Sequence, residues 1–240
     1  MIDWSSYDFI DLGCSKGGSL KHCMARFEVA RGIGVDINAN KVALTKEAGY
    51  EAVVADARNL AGVGTVSFVS MMNFLEHLPD LQMVEDVIAS AAKVARDFLF
   101  IRNPSFEGME WSEVTGYQQY WWHWPFHPSK IKVSDLCDMF DSIGLGPYSI
   151  RFVDRVTDTA HETVVPMSMG DRVGGKLARE LPRQDATPVP SGWFRRQDIF
   201  VALRPFTIEE WRSVTKPARA DEKFLPRVTK PSKERMQTTS

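Results

Sequence analysis

The 240-residue chain is poor in cysteine, carries no excess of either charge and has no long apolar run, and each scarcity closes off a class of protein. The three cysteines, Cys14, Cys23 and Cys137, are odd in number and lack paired metal-type spacing. Neither a disulfide framework nor a cysteine zinc site is therefore expected, and the compartment is read as the reducing cytoplasm. Lys and Arg number 29 against 31 Asp and Glu, a net charge of −2, so no overall positive field exists to hold phosphate backbones. A nucleic-acid partner is not expected. The apolar stretch Val66–Leu75 is broken by Ser67, Ser70 and Asn73, and no run approaches the roughly 18 residues of a membrane helix. A membrane partner is not expected either. The start, Met1-Ile-Asp-Trp-Ser-Ser, lacks the basic and apolar regions of a secretory leader, so export is not indicated. There is no internal repeat. What is present is 44% hydrophobic and 25% charged, the profile of a folded globular chain long enough to bury one large core.

The first hundred residues alternate short apolar runs with helical periodicity, the pattern of an α/β parallel sheet covered by helices. Strands are predicted at Tyr7–Leu12, Gly32–Ile37, Ala52–Ala55, Val66–Met71 and Phe98–Arg102. Helices are predicted at Leu20–Ala30, Asn40–Ala48, Leu81–Ala95 and Asp135–Ser142, with Pro79-Asp80 opening the third. Ile150–Val153 and Ile199–Leu203 read as strands that complete the sheet. Residues 1–205 are thus expected to form a single domain with insertions at about 103–134 and 154–196 that cover a substrate. From Phe206 the tail has eight Lys/Arg against five Asp/Glu and three prolines, so its distal part is expected to be poorly ordered.

The segment Phe9-Ile-Asp-Leu-Gly-Cys-Ser-Lys-Gly-Gly-Ser runs from an apolar strand straight into a helix. Gly13, Gly17 and Gly18 have no Cβ, so the chain can turn sharply and its N–H groups can approach a nucleotide-like ligand at a helix N-terminus. The spacing is not that of a dinucleotide-binding loop, and only Lys16 is at hand for a pyrophosphate. Asp11 is placed to face a ligand ammonium, and Asp36, ending the second strand, to take two ribose hydroxyls. Asp56 ends the next strand. In order and spacing, Asp11-Leu-Gly13…Gly17, then Asp36, then Ala55-Asp56-Ala57 resemble the class I S-adenosylmethionine-dependent methyltransferases. The first motif of that family reads Asp/Glu-x-Gly-x-Gly-x-Gly, and here Ser15 stands for the middle glycine. The resemblance implies a Rossmann-like fold with a mostly parallel seven-stranded sheet flanked by helices, and S-adenosylmethionine as cofactor. It implies cofactor contacts at Asp11, Gly13, Cys14, Ser15, Gly17, Asp36, Ile37, Asp56, Ala57 and Asn73, with Asp56-Ala57 beside the adenine.

After the fourth strand the chain reads Asn73-Phe-Leu-Glu76-His77-Leu-Pro-Asp80. An oxygen methyltransferase needs a base, or a metal that lowers the hydroxyl pKa, because the attacking hydroxyl loses its proton. Asn73, Glu76 and His77 stand at i, i+3 and i+4, so a helical turn would aim all three to one side. The arrangement resembles the Glu-x-x-Glu-His metal motif of ubiquinone-pathway O-methyltransferases and of small-RNA 2′-O-methyltransferases, with Asn73 in place of the first Glu. Those families bring a further His from the segment after the fifth strand. His127, eight residues before Asp135, fits that spacing better than His123, twelve before it. The resemblance implies a Mg²⁺ site at Asn73, Glu76, His77 and His127. Without a metal, Glu76 and His77 cap and orient the loop, and His77, His127 or His123 is the candidate base.

The run Tyr120-Trp-Trp-His-Trp-Pro-Phe-His reads either as a lid core or as an aromatic wall that stacks on a ring. The first functional expectation is an O-methyltransferase for a small acceptor, a sugar or glycoside ahead of a ring phenol. A 2′-O-methyltransferase for RNA is the alternative, suggested by the basic tail from Arg212 to Arg235. A non-catalytic S-adenosylmethionine-binding scaffold is the third. Asp154–Arg196 is a candidate cofactor cover or homodimer contact.

Overall fold

The computed structural model describes residues 2–172, 175–216 and 227–229. The expected elements form with shifted ends. In chain order they are β1 (Phe9–Leu12), α1 (Gly18–Phe27), β2 (Gly32–Asp36), α2 (Ala39–Glu47), β3 (Glu51–Val54), β4 (Val66–Met72), α3 (Leu81–Val94) and β5 (Ala95–Pro104). They are followed by α4 (Val133–Ser142), β6 (Tyr148–Arg155), β7 (Phe194–Ala202) and α5 (Ile208–Thr215). Strand β5 begins at Ala95 rather than Phe98, because α3 ends in an extended cap at Ala95 and passes directly into the sheet.

The main sheet runs β3-β2-β1-β4-β5-β7-β6, and Arg227–Thr229 adds an eighth strand beside β6. Every pair from β3 to β5 is parallel, whereas β7 is antiparallel to both its neighbours. The order reverses at β1, so the C-terminal ends of β1 and β4 border a crevice, the usual ligand position in such sheets.

Alternation along the strands divides the core. Leu99 and Ile101 of β5 join Val84, Ile88, Leu136 and Phe140 in the cluster under α3 and α4. Phe98 and Phe100 face the other way, with Leu20 and Cys23 of α1. On that face Phe9 stacks on Phe68, and Phe68 on Phe98, each at 4.8 Å. The Arg102 guanidinium grips Asp198 through two bonds of 2.6 and 2.7 Å, tying β5 to β7 inside the protein. A buried pair like this demands good geometry, which the bidentate contact supplies.

The two insertions meet. Tyr117–Gln119 pairs antiparallel with Val164–Pro166, and Phe106, Trp121, Trp122, Val164 and Trp193 pack into one cluster. Both indole N–H groups of Trp121 and Trp122 donate to the Ser105 carbonyl at 2.9 Å, rooting the first insertion at the end of β5. In the tail, Thr207 and Glu210 form a reciprocal cap for α5, whose Trp211 and Val214 pack on the α1 face. Apart from Arg227–Thr229, the distal tail expected to be poorly ordered lies outside the described residues. No helix among the described residues is long and apolar enough to cross a membrane.

Candidate functional site

The β1–α1 loop is built by backbone bonds that only a glycine-rich turn accommodates. Gly13 N–H donates to the Val35 carbonyl at 2.8 Å, with φ +71°. A Cβ there would lie 2.3 Å from the Phe74 ring, so this close approach of loop and ring requires glycine. Ser15 also takes a positive φ of 50°, its N–H donating to Asp36 Oδ2 at 3.1 Å and its carbonyl accepting from Thr45 Oγ1 at 2.8 Å. Gly17, left-handed as well, is the N-cap of α1.

A pocket of about 260 Å³ opens beside this loop. Of the ten expected cofactor contacts, Gly13, Asp36, Ile37, Asp56 and Ala57 line it. Asp36 is nearly buried, and its other oxygen accepts from Asn38 N–H at 2.9 Å, so the carboxylate is fixed at the end of β2. Ile37 is 74% exposed on the pocket edge, an apolar surface available to a flat ring. Asp56 is clasped by Arg58 through Nε and Nη2, which holds its carboxyl below the usual range and the side chain charged. Phe74, Leu78, Met83 and Val87 complete the wall. Sequence reasoning missed these four. Met83 and Val87 do carry the i, i+4 spacing of one helix face, but that face reads simply as core.

The other expected contacts sit elsewhere. Asp11 is wholly buried and does not line the pocket; it accepts hydrogen bonds from Ser19 and from Ser70, the latter at 2.7 Å. Burial pushes its carboxyl up to about 7, against the pull of those two bonds. Its position ties α1 to β4 beneath the loop. Cys14 is buried against Gly34 and Thr45, and burial raises its thiol to about 11. The pocket suits a nucleoside: a fixed acid for a diol, an exposed apolar edge for a base, and a glycine cradle that a Cβ would fill.

Past Phe74 the chain departs from the expected turn. Asn73 is left-handed, φ 48°, with its N–H donated to the Arg102 carbonyl at 2.7 Å, and the short 3₁₀ turn begins only at Leu75. Asparagine tolerates that conformation, so the chain swings out of β4 before helical geometry starts. Asn73 thus stands before the turn that carries Glu76 and His77, and its side chain is exposed, as is that of His77.

Glu76, His77 and His127 do come together, each offering a ligand atom within 4.8 Å of the others. Glu76 is buried, its Oε2 has no hydrogen-bond partner among the described residues, and burial pushes its carboxyl up to about 8. His77 Nδ1 lies 2.7 Å from the Phe126 carbonyl and His127 Nδ1 lies 3.3 Å from that of Trp121. A carbonyl only accepts, so each Nδ1 carries a proton and each Nε2 is turned away from that bond. Burial, reinforced by His77, pushes His127 down to about 4, so its imidazole is neutral at pH 7. His123 does not join the three, and its Nε2 is buried without a partner among the described residues.

The aromatic run divides. Trp121 and Trp122 belong to the lid core, whereas Trp124 packs edge-on against His127 at 4.8 Å and Phe126 is exposed beside it. The lid is pinned to the Glu76 turn by Ser129, whose N–H donates to the Glu76 carbonyl and whose Oγ donates to the Leu78 carbonyl at 2.8 Å. Ser129→Ala is expected to lower stability by about 1 kcal/mol, read as a lower urea midpoint at unchanged slope.

Residues 9–97 match the family model described as a methyltransferase domain. Among solved structures, an S-adenosylmethionine-dependent methyltransferase from Archaeoglobus fulgidus is 19% identical, with a TM-score of 0.51 over 81% of this chain and 85% of that one. The YcgJ protein of Bacillus subtilis gives 0.56 at 14% identity, over 85% and 94% of the two chains. A possible histamine N-methyltransferase from Thermotoga maritima gives 0.53 at 12%, over 82% of each. The comparison with curated proteins returns no similar sequence. The chain thus has the Rossmann-like fold of the class I methyltransferases, and its residues 9–97 carry the pattern of a methyltransferase domain.

Proposed function

We propose that the protein is an S-adenosylmethionine-dependent O-methyltransferase that acts on a hydroxyl of a small ring-shaped acceptor, with a divalent ion held by Glu76, His77 and His127. The observation that carries the O-methyl reading is the convergence of those three side chains within 4.8 Å, on a turn that also supplies Phe74 and Leu78 to the pocket wall. The orphaned, buried Glu76 Oε2 fits a missing cation, since an unpaired carboxylate in the interior is otherwise costly. Two imidazoles beside one carboxylate suit a first-row transition ion such as Zn²⁺ or Co²⁺ better than Mg²⁺, which prefers an all-oxygen shell.

The cofactor supplies an electrophilic methyl group, and a bound cation would lower the pKa of an acceptor hydroxyl. The protein's own part is largely positioning. Asp36 and the Gly13 turn fix the nucleoside end, the pinned lid keeps water out, and Trp124 with Phe126 offers faces for the acceptor ring. His127, neutral at pH 7 with Nδ1 engaged, has an Nε2 lone pair ready to ligate the ion or to take the hydroxyl proton.

Calorimetry of S-adenosylhomocysteine binding to chelator-treated protein tests the cofactor, and parallel titrations of Zn²⁺, Co²⁺, Mn²⁺ and Mg²⁺ test the ion. His127→Ala is expected to leave cofactor affinity within about threefold of wild type while weakening the preferred metal by 10-fold or more. Failure of S-adenosylhomocysteine to bind would sink the proposal. Equal metal affinity in wild type and variant would remove its metal arm and leave a histidine as base.

A further inference from the structure

A second polar feature lies at the same end of the sheet and takes no part in the reading above. Asn103 is the penultimate residue of β5, and Gln197 stands directly opposite it on β7. Residues paired in this way project to one face of the sheet as immediate neighbours. Both side chains are wholly buried. None of their four amide oxygen and nitrogen atoms has a hydrogen-bond partner among the described residues. Nearby Gln119 shows what a structural amide looks like in this protein: its Nε2 donates to the Phe194 carbonyl at 3.0 Å and its Oε1 accepts from Thr163 Oγ1 at 3.2 Å. Buried polar groups are almost always satisfied, so an adjacent pair with every valence open calls for an occupant.

Topology indicates which occupant. Strand alternation puts Asn103 on the same face as Leu99 and Ile101, and Gln197 on that of Ile199 and Val201. Leu75 of the Glu76 turn packs in that same core. The β4 exit is bonded to the neighbouring residue of β5, since Asn73 N–H donates to the Arg102 carbonyl. On the other side, Ser105 N–H donates to the Arg195 carbonyl at 3.1 Å and the Ser105 carbonyl holds both lid tryptophans. The amide pair therefore lies where the lid leaves the sheet, next to the turn that carries the metal-type cluster.

We propose that Asn103 and Gln197 read neighbouring hydroxyls of the acceptor, which makes the substrate a polyhydroxylated ring of the sugar class rather than a phenol. The inference rests on the proposed methyl transfer to a hydroxyl. Each amide offers both donors and acceptors, and a hydroxyl is itself both, so two side-by-side amides match two vicinal hydroxyls. A phenol brings a single hydroxyl, which can meet at most three of the eight donor and acceptor positions of the two amides, whereas two vicinal hydroxyls can meet six. A site built this way discriminates strongly against analogues without the hydroxyl.

The test uses full-length protein loaded with S-adenosylhomocysteine and saturated with its preferred metal. The probes are methyl α-D-glucopyranoside, methyl α-D-galactopyranoside and methyl α-D-mannopyranoside, with cyclohexanol and phenol as one-hydroxyl controls. At least one glycoside is expected to bind and to shift the ¹⁵N side-chain amide signals of Asn103 and Gln197, whereas the controls leave them in place. Asn103→Leu and Gln197→Met are each expected to weaken that glycoside 10-fold or more, with S-adenosylhomocysteine affinity unchanged and the melting temperature no lower. If no glycoside binds, or if one binds without moving the two amide signals of the wild-type protein, the inference is overturned whether or not the variants fold. If a variant binds the glycoside as well as wild type, it is overturned too. Methylation of phenol without glycoside binding would reject only this inference; absence of cofactor binding would reject the function on which it rests.

Discussion

At pH 9 and without metal, Glu76→Gln is expected to melt about 8–16 °C above the wild-type protein, and with metal it is expected to be the weaker of the two. The cause is the burial of the carboxyl. Its pKa rises from 4.5 to about 8 because ionisation would place a charge where no partner waits. Between those two values the folded state holds a proton that the unfolded chain has already released, so stability falls as pH rises through that window and is flat above it. The loss is on the order of 4 kcal/mol. Asp11 adds a loss of the same sign between 3.8 and about 7, for the same reason. Glutamine is nearly isosteric and cannot ionise, so the variant keeps the Asp11 slope and loses the Glu76 slope. Its advantage should vanish at pH 4 and be full at pH 9. Adding the preferred ion reverses the order, because wild type gains RT ln(1 + [M]/Kd) and the variant, lacking its only carboxylate ligand, gains little. Melting curves from pH 4 to 9, with chelator and with metal, check both halves. Parallel slopes for the two proteins would mean that Glu76 has found a partner in solution.

That Glu76 and His77 belong together was legible in the sequence, because adjacent residues on a short post-strand turn cannot lie far apart. The arrival of His127 rested on spacing after β5, and the lid bonds at Ser129 and Phe126 are what bring it in. Asn73 differs from the expected turn for a local reason. Spacing presumes a continuous helical turn, whereas a single left-handed residue bonded to Arg102 rotates everything before it out of register. Asp11 has surroundings that the sequence does not display. An acid at a strand end reads as ligand-facing, and only the fold reveals that two serines, Ser19 and Ser70, already occupy it.

The parallel half of the sheet was readable because each strand is a short apolar run closed by Asp, Asn or Gly, and each helix repeats at three and four residues. The lid was not. Its pairing of Tyr117–Gln119 with Val164–Pro166 joins two three-residue strands from separate insertions, and segments that short carry no periodicity. The apolar side of the pocket escaped for the opposite reason. Phe74, Met83 and Val87 follow the core pattern faithfully, and nothing in that pattern distinguishes a wall that faces a ligand from one that faces another side chain.

Gly13→Ala is expected to weaken S-adenosylhomocysteine at least 100-fold, about 3 kcal/mol, and to lower stability as well. Two costs add. The residue sits at φ +71°, where an alanine is disfavoured by roughly 1–2 kcal/mol. The new methyl would also lie 2.3 Å from Phe74 Cδ2 and 2.5 Å from Cγ, so the ring must move. Phe74 has little freedom to do so, since its carbonyl accepts the His77 N–H at 3.0 Å and its neighbour Asn73 is bonded to Arg102. Displacing the ring therefore deforms the pocket wall and drags the Glu76–His77 turn with it, and metal affinity should fall together with cofactor affinity. Gly18→Ala is the matched control. That position, the first of α1, has no positive φ and a Cβ there meets nothing within 4 Å. Alanine is the better helix former, so this variant should bind as wild type does and melt at the same temperature or slightly higher. Calorimetry of both variants separates a loop that needs glycine for close approach from one that is merely flexible. In the second case the two substitutions would cost alike, and Gly13→Ala would retain affinity within threefold.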